Sequence, residues 1–249
     1  MISKIIFKKI TFINLKKELF NKIIAKKGLF VFPSGPALSE IENSKNYYNS
    51  LKKADFAFFD SGLFVLLLRI FKKIDVDKFS GYKFLNYFFR YLKKNKRNSI
   101  FCIDPNLNFS KSNNKYLKNL GIKKIYNFIA PKYNSNNLSD KKLLKEIKRV
   151  KPNFIMTNIG GGTQEVLGLY LKKNLRFKTT ILCTGGAISF FTGDQAPINN
   201  LIDKFYLGWL VRLIFNPLTF FKRYVIGLKL ISIVIKSNVK VITDGKKIT

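Results

Sequence analysis

Residues 151–193 read KPNFIMTNIGGGTQEVLGLYLKKNLRFKTTILCTGGAISFFTG. Two short apolar strands are predicted here, Asn153 to Ile159 and Thr180 to Cys183. The first runs into Gly160-Gly161-Gly162-Thr163-Gln164-Glu165 and the second into Gly185-Gly186. Between them a helix is expected over 165–173, with Val166, Leu167, Leu169, Tyr170 and Leu171 as its apolar positions. Strand, glycine turn, helix, strand is a parallel crossover, and such sheets bind ligands outside the carboxyl ends of their strands. Glycine lets a backbone approach a bound group, and the amides at a helix start favour phosphate. A tight turn in any α/β protein would use one such cluster. Two clusters at successive strand ends point to a nucleotide or sugar-nucleotide site.

Upstream, the same grammar repeats. A strand or hairpin is expected over 5–12, and Asn14 is expected to cap a helix over 15–26. Leu29 to Phe32 reads as a buried strand ending at Pro33-Ser34-Gly35-Pro36, followed by a helix carrying Ala37, Leu38, Ile41, Tyr48 and Leu51. Residues 54–59 form another strand, closed by Asp60-Ser61-Gly62. An acid at the carboxyl end of an apolar strand suits a catalytic or ligand-binding carboxylate; the plainer alternative is a cap for the helix beginning near Leu63. Residues 62–71 read as a buried helix, 77–81 as a loop, and 84–92 as a helix whose aromatic face belongs in a core. Strands at 99–103 and 122–129, and a helix to Val150 capped by Ser139, complete the alternation. The fold class is α/β: an open, mostly parallel sheet with helices on both faces.

Composition sets bounds. Apolar residues make up 47% of the 249, enough for a packed core. The formal charge of +32 calls for an anionic partner: nucleic acid, a phosphate-bearing substrate or an acidic lipid surface. Nucleic acid is disfavoured, because the lysines are spread along the chain and no RNA- or DNA-binding signature appears. The chain has no histidine, so a catalytic base must be a carboxylate, Lys, Tyr or Cys. Cys102 and Cys183 lack metal-ligand spacing and fit a reducing cytoplasm. No uncharged apolar run is long enough to span a bilayer, and no signal peptide is expected.

After Gly193 the character changes. The segment 196–249 is expected to be a basic, helical C-terminal appendage to a catalytic domain at 1–195. Asn216-Pro217 opens a helix with Leu218, Phe221, Val225 and Leu228 along one side and Lys222, Arg223 and Lys229 beside them. Such helices lie in a bilayer interface or dock on the sheet.

These segments together resemble the WecG/TagA/CpsF family of bacterial glycosyltransferases over roughly residues 5 to 230. Four blocks carry the resemblance in order: Ala54-Asp55 to Gly62 with Phe79-Ser80-Gly81; Lys151-Pro152-Asn153 to Glu165; Thr184-Gly185-Gly186-Ala187-Ile188-Ser189-Phe190 to Gly193; and Leu207-Gly208-Trp209 through Arg212, Pro217 and Arg223-Tyr224. The resemblance implies a Rossmann-like domain and a C-terminal appendage that meets an anionic membrane surface from the cytoplasmic side. It implies inverting, metal-independent transfer of a sugar, often of N-acetylmannosamine type, from a UDP-sugar to a polyprenyl-diphosphate-linked acceptor, with no cofactor. A homo-oligomer is admitted as a further partner. By the same carry-over, Asp60 is the catalytic base. Ser34 is the one hydroxyl substitute for a Thr-x-Asn element. Gln164 and Glu165 belong to the nucleotide-sugar pocket, with Gly62, Gly81, Gly160, Gly161, Gly185, Gly186 and Ser189 around it. Arg212 and Arg223 meet the diphosphate. The chain departs from the family pattern at Gly162-Thr163, Ser189 and Lys83, where Pro-Lys, Asp and Asp are usual. Those departures motivate an alternative, a catalytically altered homologue acting as an assembly subunit.

Overall fold

The computed structural model describes residues 3–195, 208–215, 217–243 and 246–248. Segment 196–207, where the appendage is expected to begin, lies outside the described residues, as do the side chains of Trp209 and Arg212.

Ten strands form one sheet in the order β10-β9-β1-β2-β4-β3-β8-β7-β5-β6. They are β1 (Ser3–Phe7), β2 (Ile10–Asn14), β3 (Gly28–Val31), β4 (Phe56–Phe58), β5 (Ser99–Asp104), β6 (Lys124–Ile129), β7 (Phe154–Thr157), β8 (Thr180–Cys183), β9 (Val239–Thr243) and β10 (Lys246–Ile248). From β2 to β6 every neighbouring pair is parallel. The reason is visible in sequence: β4, β5, β7 and β8 are buried at every position, so both faces must be covered and the apolar runs do not alternate. The edge strand β6 is mostly exposed, with only Ile125 and Phe128 partly covered.

The helices are α1 (Phe20–Ala25), α2 (Gly35–Leu38), α3 (Lys45–Lys52), α4 (Gly62–Lys72), α5 (Gly81–Lys94), α6 (Leu107–Asn119), α7 (Lys141–Val150), α8 (Thr163–Asn174), α9 (Ser189–Thr192), α10 (Gly208–Phe215), α11 (Pro217–Gly227) and α12 (Lys229–Lys236). One hydrophobic core gathers α2, α3, α4, α7, α8 and α12 on one face of the sheet. The other gathers α1, α5 and α6 on the opposite face. The result is the doubly wound, Rossmann-like α/β architecture.

Adjacent strands β3 and β8 decide where a ligand can enter. Chain leaving β3 turns into α2 and α3 on one face, while chain leaving β8 places Ala187 and Ile188 in the core of the other. Neighbouring strands whose connections part to opposite faces open a crevice at their carboxyl ends.

Several sequence expectations need correction. Asn14 does not cap a helix: it is the last residue of β2, paired with Ser3, and its Oδ1 accepts the Asp77 amide at 3.2 Å. Asp140 rather than Ser139 caps α7, its carboxylate accepting the Leu143 amide at 2.8 Å and the Tyr133 hydroxyl at 2.7 Å. The single helix expected over 37–51 is two, α2 and α3, and the second buries Tyr47 rather than Tyr48. Helix α4 is buried on one side only, with Leu66, Ile70 and Phe71 exposed. Among the described residues of 196–249, three stretches are helical, Gly208–Phe215, Pro217–Gly227 and Lys229–Lys236, and the rest departs from the helical reading because β9 returns to the sheet and pairs antiparallel with β1.

Candidate active site

Four loops at the carboxyl ends of β4, β3, β8 and β7 meet in a ring. The β3 loop begins at half-buried Ser34, which stands in extended backbone before α2 and whose hydroxyl does not cap that helix. Next to it, a methyl built on Gly35 would lie 2.9 Å from Ser61 Oγ, so the β3 and β4 loops touch there. On the β4 loop, Ser61 does the capping, its Oγ accepting the Phe64 amide at 3.2 Å. That frees Asp60 from the role of cap. Half-buried Asp60 instead reaches across the sheet, its Oδ1 accepting the Gly81 amide at the start of α5 at 2.7 Å. Gly81 in turn packs on the β8 loop, where a methyl would meet Ala187 Cβ at 3.5 Å and Thr184 O at 3.6 Å.

The β8 and β7 loops are joined by Gln164. Its Oε1 accepts the Gly185 amide at 2.7 Å, and its Nε2 donates to Glu165 Oε1 at 3.0 Å. Gly185 takes φ +56° to present that amide, a conformation an L side chain resists. Glu165 Oε2 accepts the Gly162 amide at 2.7 Å, and Gly162 stands at φ +90° where α8 begins. Gly161 closes the ring, a methyl there lying 3.9 Å from Ala37 Cβ. Among the described residues, methyls on Gly160 or Gly162 would meet nothing within 4 Å, so those residues leave the ground above this loop open.

Gln164 and Glu165 both face inward and are buried. Burial pushes the Glu165 carboxyl up to about 7 against the hydrogen bonds it accepts from its own backbone, from Gly162 and from Gln164, with the Asp60 charge adding to the rise. Near neutrality the acid at the helix start is therefore only partly ionised, and the amide end of α8 keeps part of its attraction for an anion. Gly186 and Ser189 continue the β8 loop, Ser189 buried with its carbonyl accepting the Gln195 amide at 3.3 Å. Gly62 opens α4 behind Asp60.

Helix α11 is fastened to the β3 loop. Ser39 Oγ donates to Gly227 O at 3.1 Å and to Gly35 O at 3.0 Å, and a methyl on Gly227 would meet Pro36 Cγ at 3.6 Å. Arg223 is exposed one turn earlier on that helix.

Two features escaped sequence reasoning. Tyr47 is buried, its hydroxyl without a hydrogen-bond partner among the described residues, and burial followed by the charges of Glu165 and Asp60 pushes it well above the usual tyrosine range. Nothing in the pair Tyr47-Tyr48 says which ring turns inward. Asp104, fully buried at the end of β5, accepts amides from Asn113 and Asn158 at 2.7 Å each and from Asn127 at 3.3 Å. Asn158 leads into the glycine loop, so this network braces it; an apolar strand ending in Asp-Pro was the available signal. Cys183, against Gln164 O, and Cys102 are both buried and pushed well above the thiol range by that burial, which suits packing and not nucleophilic attack.

The model of the family described as Glycosyl transferase WecG/TagA/CpsF matches residues 2–242 of this chain. No curated protein matches it.

Proposed function

Because the chain belongs to the WecG/TagA/CpsF family of glycosyltransferases, we propose that it moves a sugar from a UDP-sugar to a polyprenyl-diphosphate-linked acceptor in cell-surface polysaccharide synthesis. The observation that carries this reading is Asp60. It is released from helix capping by Ser61 and held by the Gly81 amide at the mouth of the loop ring. Asp60 takes the proton of the acceptor hydroxyl as that oxygen attacks the anomeric carbon. The bond from that carbon to the UDP oxygen breaks, with inversion, and the diphosphate leaves with the electron pair. The open loop at Gly160–Gly162 and the amide end of α8 suit that diphosphate. Arg212 and Arg223 are assigned to phosphate charge contributed by donor or acceptor. The reaction is placed at the cytoplasmic face of the cell membrane, reached through the basic C-terminal helices, and no metal is assigned a role.

A second reading has one observation in its favour. Position 83 carries a lysine, its Nζ 5.4 Å from the centroid of Phe79, and position 189 a buried serine, so neither supplies an acid. Under that reading the chain is a catalytically silent assembly subunit.

Binding of UDP and a panel of UDP-sugars to the purified chain, followed by transfer assays, separates the two. The expected result is selective UDP-sugar binding, and a loss of turnover of about 10²–10⁴-fold in Asp60→Asn with an unchanged melting temperature. Near-normal turnover in that variant removes Asp60 as base. No nucleotide binding, with or without anionic vesicles, overturns the transferase reading in favour of the assembly subunit.

A further inference from the structure

Most of the exposed large apolar side chains lie on α4 and the helices α10–α12, with Leu107, Tyr126 and Ile129 apart from them on α6 and β6. On α4, Ile70 is 65% and Phe71 46% exposed, although the other side of the helix buries Phe64, Val65, Leu67 and Leu68. On the C-terminal helices, Phe221, Leu228 and Ile235 are exposed, while Leu230, Ile233 and Val234 are buried against the body. The two sets belong to one surface: α4 packs beside α12, and Lys72 Nζ donates to Ile235 O at 2.9 Å. Contiguous exposed apolar surface of this kind marks a docking face.

Charge selects what docks. Residues 62–74 and 208–243 contain no Asp or Glu, and Lys72, Lys73, Lys222 and Lys229 lie among the apolar residues. Two copies of the chain face to face would set lysines against lysines. An anionic leaflet supplies the opposite charge and an apolar layer beneath it. No helix among the described residues is long and apolar enough to cross a membrane, which leaves the interface.

We propose that α4, an element of the catalytic body, rests with the C-terminal helices on the headgroup–acyl boundary of an anionic bilayer. This rests on the membrane-associated part of the proposed function and extends it to the body. Helix α4 starts two residues after Asp60, and Ile70 lies roughly 12 Å along its axis from Gly62. Lipid contact at Ile70 and Phe71 would thus bear on the helix whose first turn follows Asp60, linking the body's lipid contact to the site loop.

Both native cysteines are buried, so a single introduced cysteine can carry an environment-sensitive fluorophore on the full chain. The dye is placed by Ile70→Cys, by Phe221→Cys and by Lys115→Cys, the last on α6 over the opposite sheet face. With phosphatidylglycerol vesicles, blue shifts are expected at 70 and 221 and none at 115; phosphatidylcholine vesicles should give none. The double change Ile70→Glu/Phe71→Glu should lower phosphatidylglycerol partitioning roughly tenfold, with UDP binding in solution and melting temperature retained. A shift at 221 without one at 70 overturns the role of α4 and leaves the transferase reading intact. A shift at 70 that follows protein concentration without lipid assigns the face to a second copy and overturns the proposal. Lipid shifts in a chain that binds no UDP-sugar would remove the transferase reading and keep α4 on the bilayer.

Discussion

Phe84 on α5 has six phenyl rings around it, those of Phe20, Phe30, Phe32, Phe58, Phe79 and Phe88, at centroid distances from 4.8 to 6.4 Å. Phe221 on α11 is 62% exposed. Both stand on helices with an apolar side, yet the first side meets β3 and β4 while the second is left uncovered by the described residues. The polar groups divide in the same way. The loop ring joins its backbone amides to the side chains of Asp60, Gln164 and Glu165, whereas residues 208–243 contain no acid at all. An amphipathic pattern specifies that a face will leave water without specifying for what.

Truncation should break the comparison most visibly. Phe84→Ala is expected to cost about 3–5 kcal/mol in denaturant unfolding, and Phe221→Ala to stay within about 0.5 kcal/mol. Equal losses would mean that the C-terminal helices are as much core as α5.

A smaller effect sharpens the electrostatic half. The folded Glu165 carboxyl sits at about 7 against an ordinary 4.5, so its protonated form favours the fold. That contribution is fully present below pH 4.5 and is lost as pH rises through 7, on the order of 3 kcal/mol in all. Glu165→Gln should flatten the stability curve between those limits. An unchanged slope in the variant would place the pH dependence elsewhere.

The smallest effect tests the contact between two site loops. Ser61→Ala removes the α4 cap, a loss of about 1 kcal/mol. It also vacates the oxygen 2.9 Å from a methyl on Gly35, so Gly35→Ala should be better tolerated in the Ser61→Ala background than alone. Strict additivity in this cycle would show that the loops do not touch.

Strands β3, β7 and β8 and helix α8 were legible within a residue or two, because doubly covered strands are continuous apolar runs that end at glycine. The candidate site was legible as types and not as jobs. Asp60 was readable as cap or site carboxylate, and the structure gives the cap to the neighbouring hydroxyl of Ser61, which takes the Phe64 amide. Gln164 stood out by its place after the glycines, but its link to Gly185 spans 21 positions and carries no local signature. Tyr47 and Tyr48 differ only in which side of α3 meets the sheet.

By itself the sequence determined most of the central elements, because period and glycine ends are local and the apolar runs of β4, β5, β7 and β8 demanded cover on both faces. Only the tertiary structure decided the strand order that sets β3 beside β8, the return of β9 to β1, and the closing of four loops into a ring around Asp60. Those depend on backbone pairing between distant segments, and backbone amides and carbonyls are alike in every residue but proline, so side-chain patterns along the chain do not name their partners.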